Sequence, residues 1–214
     1  MTSSRLVELF EDVGLVEKIQ RKLPYLFHLA EQESARGGRV GMEVGSKREQ
    51  ILVALLIYKF GEGNVNTSVP ITMPEVDVLL YDEPVSIKTI TGLGGVKVVW
   101  TVDWEKVEEF RRSYEPRSDI LLAQIRWGSD GGLFLIPREL QRDVFHDLGL
   151  DRYLPIPKRG TNPRGVEIAR KALRRMLSDE TGRLRKIGIR WERPDVAPIE
   201  PYRRWLDYWR SDSV

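Results

Sequence analysis

An α/β or α+β fold, with a sheet carrying helices on its faces, is predicted by three features of this 214-residue sequence. Apolar residues recur at helix-like spacing near the start, as in "LVELFEDVGLVEKI". Segments rich in Val, Ile and Thr, bounded by Gly, Pro and Asp, fill the middle. Amphipathic helical stretches then interrupt further strand-like segments, an order that places helices against a sheet. The length suits one domain, 1–214, with enough chain to bury a substantial core.

Taken in order, the first helical stretch runs from about Arg5 to Ala30, with Pro24 marking a break or a new start. "SARGGRVGMEVGS" (Ser34 to Ser46) is too rich in Gly and Arg for an element interior and reads as a loop. Ser46 makes an N-cap and Glu49, three residues on, completes a capping-box pattern. The helix "KREQILVALLIYKF" then stops at Gly61 or Gly63. Strands follow in "NTSVPI", "EVDVLLY", "EPVSIKTI" and "VKVVWTV". A capped amphipathic helix spans Asp103 to Tyr114, and "DILLAQIRW" and "GLFLIP" are two further strands. Beyond them come a helix near Arg138 to Leu148, a basic loop "PIPKRGTNPRG" and a basic helix "VEIARKALRRMLSD". A strand "RLRKIGIRW" and an aromatic helix "PYRRWLDYWR" end the chain. There is no internal repeat.

Composition narrows the function classes. Hydrophobic residues at 41% and charged residues at 31% describe a soluble globular protein. The longest apolar run, Ile51 to Tyr58, is far too short to span a membrane. The acidic, amphipathic start does not resemble a signal peptide, so a cytoplasmic location is expected. No cysteine is present, which excludes disulfides and thiolate zinc sites. The net charge of +2 conceals an asymmetry, with +7 on residues 151–214 and −5 on residues 1–150. That basic third suits a polyanionic partner, although a solvated basic helix would have the same charge.

The stretch with most chemistry is "PEVDVLLYDEPVSIK", Pro74 to Lys88. It reads as two strands joined by a turn, with Asp77 opening the first and Lys88 near the end of the second. The two-residue alternation of a strand puts Ser86 and Lys88 on one face and turns Ile87 to the other. Glu49 on the preceding helix, Asp77 and Lys88 together suit metal-dependent phosphodiester hydrolysis. Mg²⁺ takes oxygen ligands and retains several waters, so two carboxylates and a carbonyl, here that of Ile87, suffice. A lysine beside them orients the nucleophile and stabilises developing negative charge. Each residue also has a plain structural reading: Glu49 as a capping partner, Asp77 as a strand-start residue, Lys88 as a solvated edge lysine.

These segments resemble the core of the PD-(D/E)XK nuclease superfamily. "VGSKREQILVAL" is similar to its first motif, a helix carrying a glutamate, here Glu49. "MPEVDVLL" resembles the second, with Asp77 as the metal-binding aspartate, and "VSIK" the third, with Lys88 as the lysine. The similarity covers about Gly45 to Trp100 and implies an α/β fold with a mixed central sheet flanked by helices. Two departures stand out: Glu75 and Val76 separate Pro74 from Asp77, and Ser86 occupies the place of the second carboxylate. The resemblance implies that a helix acid replaces it, Glu49 or, less favourably, Glu43. Glu75 is a third candidate, because on a strand it shares the face of Asp77. Ser86 is left as a hydrogen-bonding partner for water or phosphate.

Over most of its length the chain resembles type II restriction endonucleases, and among them the small ThaI-like enzymes. "VKVVWTVDWEKVEEF", "GGLFLIPRELQ" and "GTNPRGVEIA" carry that likeness. It implies Mg²⁺-dependent cleavage of double-stranded DNA at a short palindrome, CGCG with blunt ends, with Mn²⁺ able to substitute. It further implies a homodimer, since protein symmetry mirrors that of a palindrome, and a cognate DNA methyltransferase in the same system. Residues 1–45 then form a helical part with the Gly/Arg loop, 46–150 the catalytic core, and 151–214 the DNA-recognition and dimer region. Lys158, Arg159, Thr161, Asn162 and Arg164 are candidate contacts in the basic loop, with Arg170, Lys171 and Arg174 on the helix after it. Arg36 and Arg39 in the Gly/Arg loop are suited to phosphate or minor-groove contact, with Met42 as an apolar wedge. Trp100 and Trp127 are expected in the core, and Trp205 and Trp209 on a docking face. Two alternatives stay open: a Holliday-junction or repair nuclease of the same superfamily, and a non-catalytic DNA-binding protein on a degenerate nuclease core.

Overall fold

The structure is a computed structural model that describes residues 4–36, 39–40, 43–70, 73, 75–99, 104–155, 165–196 and 209–210. Of residues 36, 39, 40, 99, 104 and 106 the backbone alone is described. A 3-10 turn (Arg5–Val7) and α1 (Glu8–Glu11) lead into α2 (Val13–Glu33). Asp12 caps α2, its carboxylate accepting from the Leu15 N–H at 3.0 Å. The break therefore falls at Asp12, and the helix runs straight through Pro24. A helix-interior proline costs roughly 3 kcal/mol. Here Pro24 is itself buried between Leu23 and Phe27 on the core face, and that burial offsets the lost backbone bond.

A hairpin of β1 (Ala35–Arg36) and β2 (Arg39–Val40) precedes α3 (Val44–Phe60). The helix begins two residues before the expected cap, with the Lys47 N–H donating to the Glu43 carbonyl at 3.1 Å. Ser46 and Glu49 are thus interior helical residues, and the capping-box reading is corrected. Gly61, at φ 86°, ends the helix with its N–H on the Ile57 carbonyl. A 3-10 turn (Glu62–Asn64) and β3 (Val65–Asn66) follow. The strand expected over "NTSVPI" stops after Asn66, whose side chain accepts from the Ser68 N–H and turns the chain.

β4 (Val78–Leu80) and β5 (Glu83–Thr91) form an antiparallel hairpin. Tyr81 and Asp82 both have positive φ, 49° and 65°, the signature of a two-residue type I′ turn. The remaining elements are β6 (Val96–Val99), α4 (Trp104–Arg112), β7 (Asp119–Ile125), β8 (Ser129–Ile136), α5 (Arg138–Leu148), α6 (Leu150–Tyr153), β9 (Val166–Ile168), α7 (Arg170–Leu177) and β10 (Arg185–Trp191). Val166–Ile168, expected as helix, is a strand paired with β6. Its buried–exposed–buried alternation, with Glu167 outward, explains the preference.

Six strands form a mixed sheet in the order β10-β8-β7-β5-β4-β3. β5 and β7 run parallel through a crossover that includes α4, and the other pairs are antiparallel. Side-chain alternation builds a separate core on each face. Val85, Ile87, Leu121 and Leu133 join α2 and α3 in one core, where Leu52, Leu56 and Phe27 are buried. Ile90, Leu122, Phe134 and Ile136 join α4, α5, α7 and the β6–β9 pair in the other. A mixed central sheet flanked by helices is therefore the architecture. No helix among the described residues is long and apolar enough to cross a membrane.

Candidate active site

The β4–β5 hairpin brings Asp77 and Lys88 together, as its alternation predicts. Asp77 lies one residue before β4, its N–H donating to the Val85 carbonyl at 2.9 Å. Its Oδ2 accepts from Lys88 Nζ at 2.8 Å and from the Ile87 N–H at 2.6 Å. The Ser86 hydroxyl stands 3.4 Å from the same oxygen. Lys88 is largely enclosed, while about a third of the Asp77 side chain remains accessible. Lys88 is thus no solvated edge lysine, and its one close ion pair among the described residues is with Asp77.

Ile87 buries its side chain in the core under α3 and aims its N–H at Asp77. An extended residue projects N–H and C=O to the same strand edge, so the Ile87 carbonyl faces the Asp77 side of β5. Ser86, on the opposite face, is almost fully buried at 2% exposure.

Glu49, one turn into α3, feels both charges of the hairpin. Burial raises its carboxyl above the ordinary carboxylate range, with Lys88 pulling it down and Asp77 pushing it up. Glu43 is the exposed residue immediately before α3. Glu75 is not on a strand as expected. It occupies a left-handed turn at φ 78°, which removes the shared-face argument. Its carboxyl nonetheless comes to the Ser86–Lys88 face of the hairpin, beside Tyr114 and within the field of Lys88, Arg117 and Asp77. Burial, the largest effect, pushes it up to about 8. The Tyr114 ring packs against that of Tyr153, 6.1 Å between centres, and burial raises both phenols. A small cavity of about 10 Å³ is lined by Glu75 together with Ser86 and Lys88 of the hairpin, Ser118 and Gln141. The Glu75–Tyr114 contact has no signal in the sequence, because nothing local announces the positive φ.

Asp77, Glu49 and the Ile87 carbonyl offer oxygen donors of the type Mg²⁺ takes while keeping several waters. Among the described residues no three His, Asp or Glu side chains converge on one point. The residues present would suit an ion that keeps several of its waters, and do not fit an all-protein cage. A desolvated carboxylate such as Glu49 gains most from a cation beside it.

The basic helix α7 buries Ala172, Leu173 and Met176 and exposes Arg170, Lys171 and Arg174. None of these three has an ion-pair partner among the described residues, whereas Arg175 pairs with Asp147. Arg36 and Arg39 lie on the β1–β2 hairpin, with side chains outside the description. Met42, Lys158, Arg159, Thr161, Asn162 and Arg164 lie outside the described residues, as do Trp100 and Trp205. Trp127 packs partly buried against the core, and Trp209 is 89% exposed.

With this geometry in view, comparison with known proteins gives a consistent result. The family model described as restriction endonuclease ThaI matches residues 9–211. A solved structure described as "Restriction endonuclease in complex with substrate DNA" is 49% identical to this chain. It superposes with a TM-score of 0.90, covering 97% of this chain and 99% of its own. No curated protein matches the chain.

Proposed function

The chain belongs to the ThaI restriction endonuclease family, and from that premise we propose that it is a type II endodeoxyribonuclease acting on double-stranded DNA. Its substrate is a short palindrome, CGCG cut to blunt ends, and its working form is a Mg²⁺-dependent homodimer, with Mn²⁺ as a substitute ion. The DNA partner follows the structural relative, which is described in complex with substrate DNA. A cognate DNA methyltransferase accompanies it. The observation that carries the reading is the Asp77–Lys88 pair on one hairpin, with the Glu49 carboxyl inside its field.

In this reading Asp77, Glu49 and the Ile87 carbonyl are the groups that would hold the divalent ion. The ion, when bound, neutralises phosphate charge and makes a water more acidic. The Ile87 N–H and Lys88 Nζ fix the Asp77 carboxylate so that its oxygen does not rotate away. Lys88, with three donors of which one goes to Asp77, can donate another to a phosphate oxygen or to the attacking water, and its charge stabilises the anionic transition state. The buried Ser86 hydroxyl donates locally and is not a replacement acid. Arg170, Lys171 and Arg174 hold the DNA backbone from α7.

A second reading, a non-catalytic DNA-binding protein, is favoured by Ser86 alone, since an acid is missing at that place. Plasmid incubated with Mg²⁺ and wild type, Lys88→Ala or Asp77→Ala protein distinguishes the two. Discrete fragments from wild type, lost in both variants, are expected. Fragments that persist in both variants would sink the assignment of Asp77 and Lys88. A uniform smear would remove site specificity, and salt-sensitive binding without any cleavage would select the non-catalytic reading.

A further inference from the structure

Next to Glu49 on α3, Arg48 projects from a different side of the helix, into a buried polar hub. Its guanidinium and the Glu31 carboxylate of α2 are paired with side chains only 7% and 8% exposed. Glu31 is held by donors from three separate parts of the chain. Arg48 and the Trp127 Nε1–H, at 2.7 Å, share its Oε1, and Arg193 Nη2 reaches its Oε2 at 3.3 Å. The other fork of Arg48 donates to Thr91 Oγ1 at 3.3 Å. Its Cζ lies 5.8 Å from the centre of the Phe27 ring.

Thr91 closes β5, the strand that carries Lys88 three positions earlier. Arg48 therefore ties α3 at one point both to α2 and to the strand of the catalytic hairpin. Rotating or sliding α3 by even a fraction of a turn would break one of those two bonds. The residue such a movement displaces first relative to Asp77 and Lys88 is the adjacent Glu49. We infer that Arg48, clamped between Glu31 and Thr91, is a positioning residue that sets where the Glu49 carboxylate stands in the active site. The inference rests on the nuclease reading above and names the element that gives the site its geometry. Trp127 and Arg193 support it by fixing Glu31. Arg193 also makes the β10 end of the chain part of the clamp.

The discriminating variant is Arg48→Lys, which keeps the charge but has no planar fork to reach Glu31 and Thr91 together. Single-turnover cleavage at saturating protein is measured well below the melting temperature. Affinity for an oligonucleotide duplex of the same sequence is measured separately without divalent ion. The expected result is a cleavage rate at least tenfold lower with metal-free affinity within twofold of wild type. In a Glu49→Gln background, Arg48→Lys should add less than a twofold loss, since both changes act through one carboxylate. A full-rate Arg48→Lys protein, a parallel loss of metal-free affinity, or the same fold-loss in both backgrounds would overturn the inference. Should Arg48→Lys not fold, Thr91→Val removes the strand end of the clamp alone, at an exposed position. It should slow cleavage about threefold without affecting metal-free affinity, and an unchanged rate would likewise overturn it. Absence of cleavage by wild type would instead count against the nuclease reading itself.

Discussion

Glu75→Gln isolates the least expected electrostatic feature of the site. Glu75 sits in a left-handed turn, largely desolvated, with Tyr114 beside it and Lys88, Arg117 and Asp77 in its field. Burial dominates and carries its carboxyl from the ordinary 4.5 to about 8. In the unfolded chain the group ionises near 4.5, while the native protein keeps the proton to about 8. Between those values the unfolded state binds fewer protons, so stability falls as pH rises. The contribution is complete below 4.5 and lost by the time pH passes 8. Each pH step in that window costs about 1.4 kcal/mol, which sums to about 5 kcal/mol across it. Glutamine has nearly the same shape and nothing to ionise, so the variant should lack this slope. Urea denaturation at pH 5, 6.5 and 8, with chelator present, measures it directly. Wild type should lose stability relative to Glu75→Gln as pH rises, and the variant should be the more stable protein at pH 8. Two curves that stay parallel within about 1 kcal/mol would refute the reasoning that desolvation holds this carboxyl neutral.

Two further outcomes test the basic helix and the core. Replacing Arg170, Lys171 and Arg174 together by Ala should weaken binding to any duplex and flatten the dependence of log affinity on log salt. Each lost phosphate contact removes about 0.9 from the slope, so an unchanged slope by fluorescence anisotropy would take α7 out of the interface. Gly131→Ala should destabilise the fold, because an added methyl would stand 2.3 Å from the Gln124 carbonyl oxygen and 2.6 Å from Trp191 Nε1. Forcing that overlap costs about 1–3 kcal/mol or more. A melting temperature equal to wild type would show that β7, β8 and β10 yield there more easily than their ladder implies.

The hairpin was legible in the sequence because its determinants are local. Period-two alternation places Ser86 and Lys88 on one face, and the turn residues between β4 and β5 register Asp77 against them. The same local signals located α4, α5, β7, β8 and β10. Family likeness, also a matter of residues in order, led to the architecture that the structure displays. Other features were settled only by packing. Pro24 stays helical because its burial outweighs the missing donor, and Val166–Ile168 becomes a strand because β6 is there to pair with it. Glu75 left the strand conformation that its spacing suggested for a positive-φ turn, where burial and Tyr114 surround its carboxyl. Arg48 meets a glutamate 17 residues earlier, and Arg193 meets the same one across 162 residues. Alternation and turn chemistry are written in neighbouring residues, so sequence alone determined which side chains the hairpin presents. Desolvation and long-range ion pairing depend on what comes to lie against a group, so only the tertiary structure decided which carboxylates surround Lys88 and what holds them there.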